Sequence, residues 1–404
     1  MRILISSINY WPELTGIGKY TAEMAEWLAA KGFEVKVITA PPYYPAWDVL
    51  KGYSSIAYRK EVINGVSVLR CPLWVPRKPT GLKRILHLVS FAMTSLPVMI
   101  WSSLVWKPGL VFVVEPPLFC SIGALISAKF SGADSWLHIQ DFEVDAAFDM
   151  GILNSKRTRR IAQSVELWLM SRFDFVSTIS EKMMDRLSLK KIPLERQVLF
   201  ENWVDTKGIY PEDKKTRIRQ ELGFPSDVII LLYAGNLGKK QGLEIIIEAA
   251  RKLEHRNDIL FVVCGNGPAL DELKEISHDI NNIKFIALQP LEKLNELLNM
   301  ADIHLLPQRS DVADLVMPSK LTNMMASGRP VIATARTGTQ VSSVVSKCGL
   351  VVNPGDVDAF VEAIESLAGD RNKRATLGVQ AREIVMERWK KDDVLSEVFK
   401  NYLA

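Results

Sequence analysis

The sequence predicts an α/β protein with two doubly wound domains, and three observations support this prediction. Short apolar runs alternate with helix-like patterns from one end of the 404 residues to the other. Such alternation implies parallel strands with helices on both faces of the sheet. The chain is longer than one ordinary domain. A polar stretch at 205–227, which contains Pro211, Gly223 and Pro225, separates two similar halves.

Thirteen runs are candidate strands. They are 2–8, 34–40, 66–70, 110–115, 135–140, 173–178 and 197–201 in the first half, and 228–234, 259–265, 283–286, 303–307, 330–334 and 349–352 in the second. The first run is apolar throughout, as in a buried parallel strand, and it is too short for a secretory signal. Helical patterns such as 20–31 lie between the strands. The last stretch, 370–404, is also helical, and its apolar face around Trp389 needs a cover.

Composition and charge exclude several classes of protein. The chain is 48% apolar and 24% charged, which is typical of a globular protein, and its net charge of +4 is too small for a dedicated nucleic-acid binder. Cys71, Cys120, Cys264 and Cys348 are widely spaced and match no metal or redox pattern. This cysteine usage fits a reducing cytoplasm.

The segment 85–106 carries no Asp, Glu, Lys or Arg over 22 residues. That length would span a bilayer, although His87 and Pro97 interrupt it. Basic residues and Trp74 precede it, and this combination is typical of a helix in the membrane interface. A buried core helix is the favoured interpretation; an interfacial helix and a true span are the alternatives. A second basic cluster at 156–160 either attracts anionic lipid or starts a solvated helix.

In open α/β sheets, ligands bind outside the carboxyl ends of the strands, so ligand-binding residues are expected in the loops that follow the strands. After the first strand come Thr15, Gly16 and Gly18, followed by a helix. Glycine lets a backbone approach a ligand closely and brings helix N–H groups to a phosphate. The alternative is a plain tight turn.

Three carboxylates within five residues follow the strand 135–140, namely Asp141, Glu143 and Asp145. A carboxylate at this position suits holding an acceptor hydroxyl or taking its proton. His138 lies on the strand itself. Asp141, Glu143 and His138 are therefore catalytic candidates, although a buried strand residue is the simpler interpretation of His138 and a helix N-cap is an alternative for Asp141.

The second half begins with a glycine-rich loop after an apolar strand. This loop contains Gly235 and the adjacent Lys239 and Lys240, a combination that suits a diphosphate because lysine acts as a point charge. Two solvated lysines in a turn are the alternative. Gly267 lies in a similar turn after the next strand.

Pro318-Ser319-Lys320 leads into a short apolar helix. Free N–H groups at a helix N-terminus form an anion site, and Lys320 adds a charge beside it. The chain contains no Walker A sequence, no HExxH and no G-x-S-x-G motif, and no Asp-x-Asp pattern stands as a cation site. We therefore expect a phosphate site built from cations and helix dipoles, without a metal or other cofactor.

In this order, these motifs resemble those of the GT-B glycosyltransferases of family 4, and the resemblance covers essentially the whole chain. The shared stretches are 12–18, 178–180, 202–205, 235–242, 265–268, 301–307, 318–331 and 349–356. Within the family, the stretches 12–21, 40–45, 138–141, 240–244 and 318–323 are most similar to colanic acid and related exopolysaccharide glycosyltransferases, one of which is regarded as a fucosyltransferase.

The resemblance implies two facing Rossmann-like domains. The first, at 1–205, would bind the acceptor. The second, at 206–385, would bind the sugar nucleotide. The C-terminal helix 386–404 would cross back to the first domain and cover the face around Trp389.

The resemblance also implies roles for individual residues. Thr15, Gly16 and Gly18 would line the acceptor and phosphate loop. The donor site would contain Gly235, Lys239, Lys240, Gly267, Leu288, Asp314, Pro318, Ser319, Lys320, Leu321, Thr322 and Asn323. No metal site is implied.

The chain departs from the family pattern at four positions. Asn236 and Gln241 replace an arginine and a lysine, and Lys240 or Lys239 would supply the missing charge. Two glutamates spaced eight apart would fall at Leu315 and Asn323. Asn323 retains a hydrogen-bonding group for the ribose, whereas Leu315 cannot contact the sugar in the same way. A donor without a 6-hydroxyl would fit this loss, as would sugar contacts from Asp314 or from the turn backbone.

The expected activity is retaining transfer of a sugar from a nucleotide diphosphate sugar, either GDP-fucose or a UDP-sugar, to a polyprenyl-diphosphate-linked oligosaccharide. The expected location is the cytoplasm or the inner face of its membrane. No nucleic-acid partner is expected. A sugar-nucleotide 2-epimerase on the same fold, with Asp311 and Asp314 as acid and base, is one alternative. A non-catalytic sugar-nucleotide-binding subunit of a polysaccharide assembly complex is the other.

Overall fold

The computed structural model describes residues 1–13, 16–145, 155–213, 217–238, 241–309 and 318–403. The chain divides into two compact units. Unit 1 contains Met1–Glu201 and Leu395–Ala404, and unit 2 contains Asn202–Val394.

Unit 1 is built on an eight-stranded sheet with the order β3-β4-β2-β1-β5-β6-β7-β8, in which only β3 is antiparallel to its neighbour. The strands are β1 Arg2–Ser6, β2 Glu34–Thr39, β3 Arg59–Ile63, β4 Val66–Arg70, β5 Leu110–Glu115, β6 Asp134–Ile139, β7 Phe175–Thr178 and β8 Gln197–Leu199. Strands β1, β5 and β6 form the centre and are almost completely buried, which explains their continuous apolar runs. The edge strand β3 was not predicted, because an exposed edge strand needs no apolar run.

Helices connect these strands by crossovers. They are α1 Gly16–Ala30, α2 Gly81–Trp106, α3 Cys120–Ser131, α4 Lys156–Met170 and α5 Glu181–Leu189. The crossovers that carry α2 to α5 all move the chain towards β8, whereas the crossover through α1 moves it the other way. Right-handed crossovers therefore place α2 to α5 on one face of the sheet and α1 on the other.

Helix α2 is not the buried core helix favoured from the sequence. Its inner side carries the buried residues His87, Phe91, Ser95, Met99, Ser102 and Ser103. Its outer side exposes Leu82, Leu86, Met93, Trp101, Leu104 and Val105. In the part of the chain that the structure describes, α2 is the one helix long and apolar enough to cross a membrane. Only 28% of its most apolar 18-residue stretch is buried. The helix therefore packs on the domain along one side and presents an uncharged apolar stripe on the other.

Unit 2 is built on a six-stranded parallel sheet with the order β11-β10-β9-β12-β13-β14. The strands are β9 Ile229–Ala234, β10 Ile259–Cys264, β11 Ile283–Ile286, β12 Ile303–Leu306, β13 Val331–Thr334 and β14 Gly349–Val352. Its helices are α6 Arg217–Glu221, α7 Glu244–Lys252, α8 Leu270–Ile276, α9 Leu294–Asn299, α10 Ser319–Ala326, α11 Gln340–Val345, α12 Val357–Gly369 and α13 Arg371–Arg388. With one such sheet in each unit, the predicted fold of two Rossmann-like domains is confirmed.

The C-terminal segment differs from the expectation at one point. Trp389 is 1% exposed and packs in the core of unit 2, with Val204, Val385 and other apolar residues. Unit 2 therefore covers this side chain itself. The chain enters unit 1 only at Leu395, within α14 Lys391–Val398, and continues into α15 Lys400–Leu403. In unit 1, Phe399 packs against Phe112 and Trp136.

Candidate functional site

In unit 2, the Lys320 side chain crosses the glycine-rich loop that follows β9. Its Nζ donates a hydrogen bond to the Oη of Tyr233 at 2.8 Å and lies 4.8 Å from the centre of that ring. Tyr233 in turn donates to the backbone oxygen of Asn236 at 2.7 Å. A Cβ atom at Gly235 would collide with the Lys320 side chain, so this approach requires glycine. Tyr233 was not among the residues singled out from the sequence.

The environment of Lys320 favours binding of an anion. Burial lowers its pKa to about 8, so the ammonium is mostly charged at neutral pH but is poorly solvated. An anion placed beside a desolvated cation favours its charged form. Lys320 therefore has the chemistry of a phosphate ligand.

The loops after β9 and β10 pack backbone against backbone. The N–H of Gly235 donates to the oxygen of Cys264 at 2.9 Å, and the N–H of Leu237 donates to the oxygen of Asn266 at 2.9 Å. A Cβ atom at Gly267 would lie 2.6 Å from the Leu237 oxygen. Any side chain there would push the loops apart, so the two predicted glycines lie on one shared backbone surface at the carboxyl edge of the sheet.

Helix α10 begins at the same edge. Its N-cap residue, Pro318, makes no side-chain capping hydrogen bond, and its first turn contains no acidic residue. The Thr322 hydroxyl donates to the oxygen of Ser319 at 3.0 Å. Leu321 and Thr322 are buried and hold the turn in place, while Asn323 is half-buried one turn into the helix. The positive end of this helix therefore faces the edge at which Lys320 lies.

Two further side chains occupy neighbouring strand ends. Leu288 follows β11 and is 68% exposed. Arg309 follows β12, and a Cβ atom at Gly242 would lie 3.1 Å from the Arg309 Cγ. Arg309 was not selected from the sequence, although its place just after an apolar strand was a usable signal. Six residues singled out from the sequence lie outside the described residues, namely Thr15, Lys239, Lys240, Asp311, Asp314 and Leu315.

In unit 1, the predicted carboxylates follow β6. Asp141 is exposed, whereas Glu143 is half-buried. The Glu143 Oε2 accepts a hydrogen bond from the N–H of Leu118 at 2.7 Å. The N–H of Gln140 donates to the oxygen of Glu115 at 3.0 Å. These contacts hold the ends of β5 and β6 together and place Glu143 at the carboxyl edge.

A cluster of buried acids surrounds Glu143. Burial, the largest cause, and the negative charges of Glu166 and Asp141 together raise the pKa of Glu143 to about 7, against the lowering effect of the Leu118 N–H. Burial and the neighbouring carboxylates of Glu143 and Glu166 hold the pKa of Glu115 well above its ordinary value. Within the described part of the chain, neither carboxyl oxygen of Glu115 has a hydrogen-bond partner. A carboxyl group whose pKa lies near neutrality suits proton transfer.

His138 lies in the core of the sheet. Its Nδ1 is 2.8 Å from the Ser177 Oγ, and its Nε2 accepts from the Gln140 side chain at 2.8 Å. Its ring lies 4.8 Å from that of Phe200 and 5.7 Å from that of Phe112. Burial lowers the pKa of His138 to about 3, so the ring is neutral at physiological pH. These contacts favour the interpretation of His138 as a buried strand residue.

The glycine loop of unit 1 is organised by a carboxylate that the sequence analysis did not select. Glu13 is 5% exposed, and its Oε1 accepts from the N–H groups of Tyr43 and Tyr44 at 2.8 Å each. A Cβ atom at Gly18 would lie 3.0 Å from both the Cβ and the backbone oxygen of Glu13. Gly16 starts α1 at φ +57°. Glu13 thus ties the loop after β2 to the start of α1. The sequence signal that could have identified Glu13 was an acidic residue in an otherwise apolar loop.

No group of three or more His, Cys, Asp or Glu side chains in the described ranges is placed to hold a metal ion.

Comparisons with known proteins identify the class. Residues 15–203 match the family model described as "Glycosyl transferase 4-like domain", and residues 214–384 match "Glycosyl transferases group 1". The chain is 42% identical over 375 residues to a protein of Escherichia coli K12 named for colanic acid biosynthesis, the glycosyl transferase WcaI. That alignment covers 90% of this chain and 91% of the relative.

Solved structures agree on the fold. A sucrose-phosphate synthase from Thermosynechococcus elongatus superposes with a TM-score of 0.74 at 18% identity, covering 99% of this chain and 98% of that one. Anabaena HepE in complex with UDP gives a TM-score of 0.71 at 15% identity, covering 100% and 99%. The fold, the two matched domains and the relative define a glycosyltransferase. More narrowly, the chain belongs to the GT-B glycosyltransferases of group 1, the family 4 type.

Proposed function

We propose that this glycosyltransferase moves a sugar, with retention of configuration, from a nucleotide diphosphate sugar to a polyprenyl-diphosphate-linked oligosaccharide during exopolysaccharide synthesis. The observation that carries the donor half of the proposal is the position of Lys320. Its ammonium lies across Gly235, beside the glycine loops and the start of α10.

In this proposal, unit 2 binds the donor. Lys320 and the first N–H groups of α10 hold the diphosphate, and Lys239 or Lys240 adds a second positive charge. This arrangement stabilises the phosphate that departs as the glycosidic bond breaks, so the reaction needs no metal ion. Asn323 hydrogen-bonds the ribose. Gly235 and Gly267 let the nucleotide approach the backbone, and Leu288 offers an exposed apolar surface to the base.

The proposed donor is GDP-fucose or a UDP-sugar. The relative named for colanic acid biosynthesis supports a sugar of an exopolysaccharide, and the HepE structure contains UDP. Leu315, where the family pattern has a glutamate, favours a donor without a 6-hydroxyl. Asp314 or the turn backbone would then supply the sugar contacts.

The proposed acceptor binds at the carboxyl edge of unit 1. Asp141 is exposed there and can orient an acceptor hydroxyl. Glu143 can take its proton, because its pKa of about 7 leaves much of it ionised at neutral pH. Thr15, Gly16 and Gly18 would line the same edge. In a retaining reaction, the departing phosphate assists the attack from the same face, so no protein nucleophile is needed.

We also propose that the enzyme works in the cytoplasm, on the inner face of the membrane. The exposed apolar stripe of α2 follows Arg77, Lys78 and Lys83, which are all exposed. On the same face of the sheet, α4 exposes Ile161, Val165 and Trp168 next to basic residues at its start. Apolar helix faces with basic flanks bind anionic lipid surfaces.

A binding panel followed by product analysis tests the proposal. Selective binding to the native state raises the melting temperature, by an amount equivalent to about 2.7 kcal/mol at a ligand concentration of 100 Kd. We expect one of the UDP-, GDP- or dTDP-sugars to stabilise the wild type and to lose this effect in Lys320→Ala. Transfer to a lipid-linked saccharide should give a product with the anomeric configuration of the donor. An inverted product, or conversion of the donor to its 2-epimer without transfer, would exclude the proposed reaction.

A further inference from the structure

A groove between α2 and α3 has a volume of about 190 Å³. Apolar residues from both helices form most of its lining, and they are Val89, Ala92, Met93, Leu96, Met99, Phe119, Ile122 and Gly123. An apolar protein cavity of about 150 Å³ is large enough to bind benzene. The groove therefore has room for a short branched piece of hydrocarbon chain.

The level of the groove along α2 follows from one close contact. A Cβ atom at Gly123, in the first turn of α3, would lie 3.2 Å from the Met99 Sδ and 3.3 Å from the Leu96 Cδ1. Leu96 and Met99 therefore lie level with the first turn of α3, and the groove residues Val89 and Met93 lie one to two turns nearer the start of α2. Since α3 follows β5, the groove opens at the carboxyl edge of the sheet.

This opening adjoins the candidate acceptor site. Phe119 lines the groove, and its chain neighbour Leu118 donates its N–H to Glu143 at 2.7 Å. A chain in the groove would therefore end near the carboxylate proposed to act on the acceptor. The lipid of the acceptor itself explains this adjacency, whereas an unrelated bilayer lipid would have no reason to end there.

Charge at the start of α2 fits a phosphate-bearing lipid. Arg77, Lys78 and Lys83 are exposed, and the Arg84 guanidinium lies 5.6 Å from the centre of the Trp47 ring. The segment 85–106 then continues without a charged residue. An anionic head group followed by an isoprenoid chain matches this order of basic and apolar surface.

We infer that the α2–α3 groove binds the isoprenoid chain of the lipid-linked acceptor, at the end next to its phosphate, and so positions the acceptor at Glu143. This inference rests on the proposed lipid-linked acceptor and adds the site that recognises its lipid.

Photolabelling with farnesyl phosphate that carries a diazirine on its chain tests the inference. We expect crosslinks within the peptides that contain Met93, Phe119 or Ile122. Met93 and Ile122 are 70% and 47% exposed, so lysine is tolerated at both positions. Met93→Lys and Ile122→Lys should each reduce labelling at least tenfold. Val62→Lys, at a 72% exposed position on the edge strand β3, is the matched control and should label like the wild type.

A second probe separates the isoprenoid chain from bulk lipid. Phosphatidylglycerol vesicles with a diazirine on the acyl chain should label the outer stripe of α2, around Trp101 and Leu104, more than the groove. Equal labelling of the groove by both probes would overturn the inference, as would farnesyl labelling confined to the outer stripe. Donor binding and donor hydrolysis are measured on the same variants. If the wild type neither binds nor hydrolyses a donor, the proposed function is refuted. If it does both but the groove is not labelled, only the inference is refuted.

Discussion

The ammonium of Lys320 donates to the phenolic oxygen of Tyr233 at 2.8 Å, directly over the backbone of Gly235. This contact joins the start of α10 to the end of β9, two elements that are far apart in the chain. Burial lowers the pKa of the amine to about 8, and an anion is the natural further partner for such a group.

Gly235→Ala should weaken donor binding. The new Cβ would collide with the Lys320 side chain, and displacing a charged hydrogen-bond donor costs roughly 1.5–3 kcal/mol, or more than tenfold in affinity. Gly355→Ala is the matched control, because Gly355 also has a positive φ but a Cβ there would meet nothing within 4 Å. Both variants should lose some stability, but only Gly235→Ala should lose affinity in calorimetric titration with the preferred nucleotide sugar. Equal affinities would disprove the steric argument.

Lys320→Ala should weaken donor binding by roughly 1.5–3 kcal/mol, and Lys240→Ala by roughly 1–3 kcal/mol. The wild type should also bind more weakly as the pH rises through about 8, because the free amine loses its proton there. This dependence on pH should disappear in Lys320→Ala. Lys284→Ala removes an exposed lysine on β11 and should leave both affinity and pH dependence unchanged. A pH profile shared by wild type and Lys320→Ala would exclude Lys320 as its source.

Asp141→Asn should lower turnover by on the order of tenfold or more while leaving nucleotide affinity nearly intact. The substitution keeps the shape of the side chain but removes the charge that would orient the acceptor hydroxyl or accept its proton. Asp185→Asn, at an exposed position on α5, serves as the control. The measurements are steady-state kinetics and donor titration. Full activity in Asp141→Asn would show that Asp141 is only structural.

Glu143 should make stability depend on pH. Its pKa is raised from 4.5 to about 7 in the folded state, so the folded protein binds more protons than the unfolded chain between these values. Stability should therefore be highest below about pH 4.5 with respect to this group and fall as the pH rises to about 7. Glu143→Gln should flatten this part of the curve of melting temperature against pH. An unchanged slope would mean that Glu143 titrates normally.

The outer side of α2 should bind anionic membranes. Wild-type protein should sediment with phosphatidylglycerol vesicles in low salt and less so in high salt, since screening weakens the basic contribution. Trp101→Glu, at a 67% exposed position, should reduce sedimentation several-fold. Val62→Glu on β3 should not. Wild-type protein that stays in the supernatant with every vesicle would contradict the membrane proposal.

The sequence predicted most of the fold because its central strands are buried on both faces and therefore read as continuous apolar runs. It missed β3, whose residues alternate between exposed and half-buried at the edge of the sheet. It also favoured a buried α2, because an uncharged apolar run looks the same whether one side or every side of the helix is covered. The prediction that the first domain covers Trp389 was wrong for a similar reason. Periodicity shows that an apolar helix face packs against something, but it does not show which element.

By itself, the sequence determined the two-domain α/β fold, the family, and the loops at which chemistry is to be sought, because these properties depend on local patterns and motif order. The tertiary structure decided the side-chain relationships. It brought Lys320 to Tyr233, tied Leu118 to Glu143, used Glu13 to hold the loop after β2, and enclosed His138 in the sheet. These contacts join residues distant in the chain, so only the packed sheet and its crossovers bring them together.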